Sequence, residues 1–266
     1  MTRGLRLALS HAVGWLADRR VPGPLRAPLY RTYARFTGAD LSEVRLGLDA
    51  FPSLGAFFVR ELKPGLRPFP SDPASLGSPV DGTVQSLCPI ERGTVVQAKG
   101  RSYSVDEMLA IPGAAARLEG GFSWTIYLSP RDYHRIHAPE ACRLTAATWI
   151  GGDRFSVAPK VLLRRRVLDV NERCVLTLEC ERATLYLVLV GALNVGRMRV
   201  VGVEPGHSGP LARPRTFARG EDLARFEMGS TIVLFAPPGA LTCANTIAET
   251  RGVKMGEPIG AWARTK

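Results

Sequence analysis

Residues 228–235 read Met228-Gly229-Ser230-Thr231-Ile232-Val233-Leu234-Phe235. A small-residue entrance followed by a continuous apolar, β-branched run of this length predicts a buried strand. The same texture recurs upstream in Thr94-Val95-Val96, Trp124 to Leu128, Cys174 to Leu178 and Thr184 to Val190. Glycine, proline and charged turns separate these runs. From about residue 75 onward the chain is therefore predicted to form an antiparallel sandwich or barrel-like core. Gly206 to Gly220, with its two prolines and three arginines, reads as a mobile loop leading into the Ser230 strand.

The start of the chain has a different period. Leu5, Leu9, Ala12, Val13 and Leu16 recur at helical spacing over residues 1–20, and Pro22-Gly23-Pro24 breaks the pattern. Leu25, Leu29, Tyr33 and Phe36 mark a second helix that closes at Gly38 and Asp40. Arg3, Arg6, Arg19, Arg20, Arg26, Arg31 and Arg35 flank the two stripes, with Asp18 opposing them. Such helices either pack on their own domain or lie on an anionic bilayer. Phe51 to Phe69 reads as a connector, in which Phe57 to Leu62 ends a helix and Lys63-Pro64-Gly65 turns the chain. The expected fold class is α+β and predominantly β. N-terminal amphipathic helices (1–50) rest on a β-rich domain (51–266).

A chain of 266 residues holds one sizeable core, or one core and a small appendage. The net charge of +11 points either to an anionic partner or to an arginine-rich surface that serves solubility. Nucleic acid is the weaker anion, because the N-terminal arginines accompany apolar stripes and not an aromatic stacking platform. Cys88, Cys142, Cys174, Cys180 and Cys243 are odd in number and form no C-x-x-C pair, which disfavours a zinc ribbon or disulfide scaffold and suits reduced thiols in the cytosol. No apolar run is long enough for a transmembrane helix. Arg6, His11 and Asp18-Arg19-Arg20 disfavour a secretory signal.

Three short segments carry chemistry. In Gly229-Ser230 the hydroxyl can attack the preceding carbonyl, since glycine leaves the approach open and tolerates strain. The resulting ester can eliminate and hydrolyse to a pyruvoyl group, given a base and donors for the oxyanion. Tyr133-His134-Arg135-Ile136-His137-Ala138-Pro139 carries two histidines three apart. On a helix they would share a face, as in a metal site; Pro139 and Pro130 argue for a strand or loop, where separate acid and base roles become open to them. In Ser78-Pro79-Val80-Asp81-Gly82-Thr83-Val84 the Asp-Gly is either a turn or a carboxylate that orients a histidine. The candidate set is Asp81, His137 and Ser230. No G-x-S-x-G, P-loop, G-x-G-x-x-G or H-E-x-x-H motif is present, and nothing in the sequence points to a metal. Val80 to Val84 and Val253 to Ile259 both resemble turns of small β-sandwich carrier domains, without amounting to a repeat.

In this order the segments resemble the phosphatidylserine decarboxylase family, together with Phe57 to Pro68, Asn171-Glu172-Arg173, Val190-Gly191-Ala192 with Val195-Gly196, and Phe226 to Thr231. The resemblance implies that Asp81 and His137 activate Ser230. Cleavage between Gly229 and Ser230 would then give a β subunit (1–229) and an α subunit (230–266) whose first residue is the pyruvoyl cofactor. His134 would serve decarboxylation. The substrate amine of phosphatidylserine would condense with the pyruvoyl group as a Schiff base, lose carbon dioxide and leave as phosphatidylethanolamine. Ala158 stands where the family pattern has Asn. The resemblance further implies a homodimer held peripherally on the cytoplasmic side of the cell membrane, with residues 1–36 as the docking surface. Alternatives are a decarboxylase of a related serine phospholipid, or an uncleaved membrane-binding β domain.

Overall fold

A computed structural model describes residues 2–97, 101–162, 164–193, 197–227, 230–244 and 246–263. Gly229, the proposed cleavage residue, lies outside the described residues, as do Met228, Val195 and Gly196. Two helices open the chain, α1 (Arg3–Ala17) and α2 (Gly23–Thr37), followed by the short α3 (Leu54–Phe58). Strands β1 (Ser75–Gly77), β2 (Gly82–Pro89), β3 (Thr94–Gln97) and β4 (Arg101–Ser104) come next. The short helices α4 (Val105–Leu109) and α5 (Ala114–Leu118) lead to β5 (Phe122–Leu128), β6 (Arg135–His137) and β7 (Cys142–Ile150). After α6 (Pro159–Leu162) come β8 (Arg173–Cys180), β9 (Thr184–Val190), β10 (Met198–Val200), β11 (Ser208–Phe217) and β12 (Asp222–Phe226). The chain closes with β13 (Ser230–Ala236), β14 (Leu241–Cys243), β15 (Gly252–Val253) and β16 (Pro258–Trp262).

The expected α+β, mainly β class is what forms. Eight strands make one antiparallel sheet in the order β11-β7-β8-β9-β13-β5-β2-β15. This sheet is open, with β11 and β15 at its edges, so the barrel-like alternative does not apply. Its central strand is β13, and all seven of its residues are buried. That explains the uninterrupted apolar run, since a strand covered on both faces does not alternate. Ile232 and Leu234 join Trp124, Ile126, Leu187 and Leu189 on one face, under the small sheets β10-β12-β6 and β1-β16-β14. Val233 and Phe235 join Val188, Tyr103 and Met108 on the other, under α4 and α5.

The segment read as a mobile loop, 206–220, is mostly the edge strand β11. It pairs with β7 and bulges between Pro210 and Arg215. The prolines and arginines that suggested a loop suit an edge, where they block pairing with another chain.

The helix α1 docks with its polar side inward. Ser10 and Ala17 are buried, while Leu5, Leu9, Trp15 and Leu16 are exposed. Arg6 is paired with Asp153 and Asp18 with Arg197. In α2, Tyr30 stacks on Phe57 with ring centroids 4.7 Å apart and donates to the carbonyl of Phe51 at 2.9 Å. Leu25, Leu29 and Phe36 remain outside.

Gly82 has a specific steric reason. A Cβ there would lie 2.5 Å from the Tyr127 carbonyl oxygen and 2.7 Å from Ile126 Cγ2, whereas at Gly252, on the neighbouring strand, the nearest atom would be 4.0 Å away. Gly82→Ala should therefore destabilise the fold by about 1–3 kcal/mol in chemical denaturation, and Gly252→Ala by about 0.5 kcal/mol or less. Equal effects would contradict this packing.

Candidate active site

One row of the sheet aligns Thr83, Tyr127, Thr231 and Val190, so the ends of β2, β5, β13 and β9 meet at one edge of the core. Asp81 immediately precedes β2 there. Ser230 opens β13 opposite Leu128, the last residue of β5. Beyond Leu128 the Asp132 carboxylate accepts from the Ser129 amide and hydroxyl, both at 2.7 Å, and turns the chain toward Tyr133 and His134. Two backbone bonds tie the segments together: the His137 amide donates to the Pro79 carbonyl at 2.9 Å, and the Phe226 amide to the His134 carbonyl at 3.0 Å. The aspartate, histidine and serine segments thus converge although they are far apart in sequence. His137 lies on a strand, so the helical-face reading of the two histidines does not apply.

The side chains do not form a relay among themselves. Asp81 is buried and its carboxylate is held by Arg67, with Nε–Oδ1 2.9 Å and Nη2–Oδ2 2.8 Å. The Met255 amide donates to Oδ1 at 2.7 Å, and Lys254 Nζ lies 3.5 Å from Oδ2. Arg67 also pairs with Glu43 at 2.7 Å. Burial opposes the charge on Arg67, but Asp81 and Glu43 more than offset it and raise its pKa. His137 bonds Gly220 through Nδ1 at 2.8 Å and Tyr133 through Nε2 at 3.0 Å. The expected Asp81–His137 hydrogen bond is therefore not made here. Ser230 is fully buried and donates its hydroxyl proton to the Val190 carbonyl.

His134 is fully buried, packed on Phe58 with ring centroids 4.0 Å apart. Its Nδ1 lies 2.8 Å from the Asp132 carbonyl. A carbonyl only accepts, so the proton of the neutral ring sits on Nδ1 and Nε2 carries the free lone pair. That Nε2 has no partner in the protein. Burial pushes the pKa of His134 down to about 3, and burial likewise lowers that of His137. Arg67 and Lys254 were not singled out as site residues from the sequence. The signal was present, because Arg67 belongs to the quoted 57–68 segment and Lys254 to the segment echoing Val80 to Val84. These two segments prove to be neighbours, with Val253 opposite Gly82.

The geometry defines a β-rich protein in which a buried aspartate, a buried histidine and a buried serine lie on segments that meet where β13 begins. A family model described as phosphatidylserine decarboxylase matches residues 54–261. Proteins named phosphatidylserine decarboxylase proenzyme are similar along nearly the whole chain. That of Anaeromyxobacter sp. (strain K) is 39% identical, covering 96% of this chain and 94% of the relative. That of Halorhodospira halophila is 40% identical with the same coverages, and that of Myxococcus xanthus is 37% identical over 95% of this chain and 93% of the relative. The chain belongs to the phosphatidylserine decarboxylase family.

The His134 environment sets a pH dependence. Its folded pKa lies below the unfolded value of about 6.5, so only the unfolded chain takes up this proton as pH falls. The associated stability is complete above about pH 6.5 and is lost progressively toward the folded value near 3. Between pH 7 and 5, wild-type protein should lose about 2 kcal/mol more in urea unfolding than His134→Gln. Parallel losses would show that the imidazole is not buried in its neutral form.

Proposed function

We propose that the chain is a self-cleaving, pyruvoyl-dependent decarboxylase of phosphatidylserine, with residues 1–50 serving membrane docking and 51–266 catalysis. The observation that carries this reading is the position of Ser230. It opens the buried central strand immediately after β12, whose end is bonded to the backbone of His134, and His134 carries an unpartnered nitrogen. Cleavage between Gly229 and Ser230 would leave 1–229 and 230–266, the latter starting with the pyruvoyl group.

The residues present suit such a group. Ser230 is shielded from water, and the unpartnered Nε2 of His134 offers a polar atom beside the strand that leads to it. When formed, the pyruvoyl group supplies the electron-withdrawing carbonyl that makes loss of carbon dioxide feasible. The chain supplies position and protons. For self-cleavage, the Ser230 hydroxyl must exchange the Val190 carbonyl for a base, His137 in this account. His137 reaches that role by releasing the Tyr133 hydroxyl from Nε2. Asp81, held by Arg67 and the Met255 amide, fixes a negative charge that favours the protonated state of both imidazoles. His134, in an apolar setting against Phe58, is the group assigned to proton delivery during turnover.

Access to a lipid is supported by the outward apolar faces of α1 and α2, Leu5, Leu9, Trp15, Leu16, Leu25, Leu29 and Phe36. Neighbouring arginines add attraction to anionic lipid. Among the described residues no helix is long and apolar enough to cross a membrane. Phe36 also borders a groove of about 480 Å³ lined by Thr83, Tyr127, Ser129 and Arg131. This supports peripheral binding, which we assign to the cytoplasmic face of the cell membrane.

Release of carbon dioxide from phosphatidylserine in mixed anionic vesicles tests the activity. Wild-type protein should turn over, and Ser230→Ala should lose activity by at least about 1,000-fold because it removes the covalent group's source. Activity retained by Ser230→Ala would refute the reading. Replacing Trp15 and Leu16 together by Ser should weaken vesicle co-sedimentation by at least about tenfold. Unchanged binding would remove α1 from the docking surface.

A further inference from the structure

Arg60, two residues beyond α3, is 3% exposed. Its Nη2 donates to the Arg131 carbonyl at 3.0 Å, and the Phe57 ring lies 5.2 Å from the guanidinium. Nε and Nη1 have no protein partner. Other shielded arginines differ. Arg6, Arg67, Arg154 and Arg219 each hold a carboxylate. Arg173, also buried, spends all three of its nitrogens on backbone carbonyls. Among the described residues, Arg60 is a buried guanidinium that has neither an ion-pair partner nor a full set of acceptors. Such a group does not shed its proton, and leaving it unpaired is costly.

Arg60 lines a cavity of about 350 Å³ together with Asp81, Asp132, Tyr133 and Lys254. The cavity therefore opens beside the histidine segment and the aspartate that precedes β2. A fixed cation that borders the cavity, and whose buried Nε and Nη1 have no acceptor in the protein, is a recognition element for an anion. Resting on the decarboxylase reading, two anions of the substrate headgroup compete for it: the phosphodiester and the carboxylate. The carboxylate must give up its charge as carbon dioxide, and a cation pressed against it would stabilise the charge that has to vanish. The phosphodiester keeps its charge from substrate to product.

We propose that Arg60 binds the phosphodiester of the lipid headgroup and so positions the amino acid part toward Ser230. The chemistry required is a singly charged phosphodiester accepting from the Arg60 guanidinium. Arg60 is thus a substrate-binding residue and not a proton donor.

The test uses the full chain with short, water-soluble dihexanoyl lipids, so that membrane docking does not enter, and rates are normalised to the cleaved fraction. Arg60→Gln should raise KM for dihexanoyl-phosphatidylserine by about 10- to 100-fold, with a smaller change in kcat. It should raise the inhibition constant of dihexanoyl-phosphatidylethanolamine, which keeps the phosphodiester and lacks the carboxylate, by a similar factor. Arg60→Lys should fall between the two. A raised KM with an unchanged inhibition constant would assign Arg60 to the carboxylate and overturn the proposal, as would no change in either. A binding arm is independent of turnover: calorimetric titration of dihexanoyl-phosphatidylethanolamine into Ser230→Ala protein, and into the same protein carrying Arg60→Lys. Binding weakened by Arg60→Lys supports the assignment even if Arg60→Gln does not fold, and undiminished or absent binding overturns it. Wild-type protein that binds this lipid but does not decarboxylate the serine lipid would reject the decarboxylase reading and leave the Arg60 site standing.

Discussion

The structure turns on the passage from β12 to β13. Only Glu227, Met228 and Gly229 stand between the last residue of one strand and the first of the other, and the two strands belong to different sheets. On one side, Phe226 is tied to the His134 carbonyl. On the other, Ser230 is buried at the head of a strand that pairs along its length with both β5 and β9. The chain must therefore deliver a serine hydroxyl into a water-free position beside a histidine segment. Displacing it would cost the pairing of the central strand and both cores that rest on it.

Charge organises the surroundings. Glu227, the described residue at the mouth of this passage, pairs with Arg197 at 3.0 Å, and Arg197 pairs in turn with Asp18 at the end of α1. The helix that turns its apolar face to the outside is thus tied by two ion pairs to the segment preceding Ser230. A second network holds Asp81 between Arg67, Lys254 and the Met255 amide. That network joins residues 67 and 81 to residues 254 and 255, which follow Ser230 in sequence. Separating the chain at 229/230 would leave β13 to β16 gripped by β5, β9, β2 and β1.

The strand-forming part of the fold was legible because burial leaves a plain signature. The run from Ile232 to Phe235 has no polar residue, as a strand covered on both faces demands. Two elements misled for physical reasons. In 206–220, prolines and arginines mark both loops and protected edge strands, and local composition does not separate them. In α1, periodicity located the apolar stripe but not the side that meets the body of the protein. That choice is made by Arg6 with Asp153 and by Asp18 with Arg197, contacts across long sequence separations. The site was legible as a set of segments and not as a set of bonds. A bidentate guanidinium outcompetes a neutral imidazole for a carboxylate, so Arg67 takes Asp81 and His137 turns to Tyr133 and Gly220.

The most direct test compares the mass of the purified protein under native and denaturing conditions. The account predicts one particle in native spectra that separates on denaturation into 1–229 and 230–266, the smaller fragment beginning with a pyruvoyl group in place of Ser230. A single full-length chain in an active preparation would contradict it.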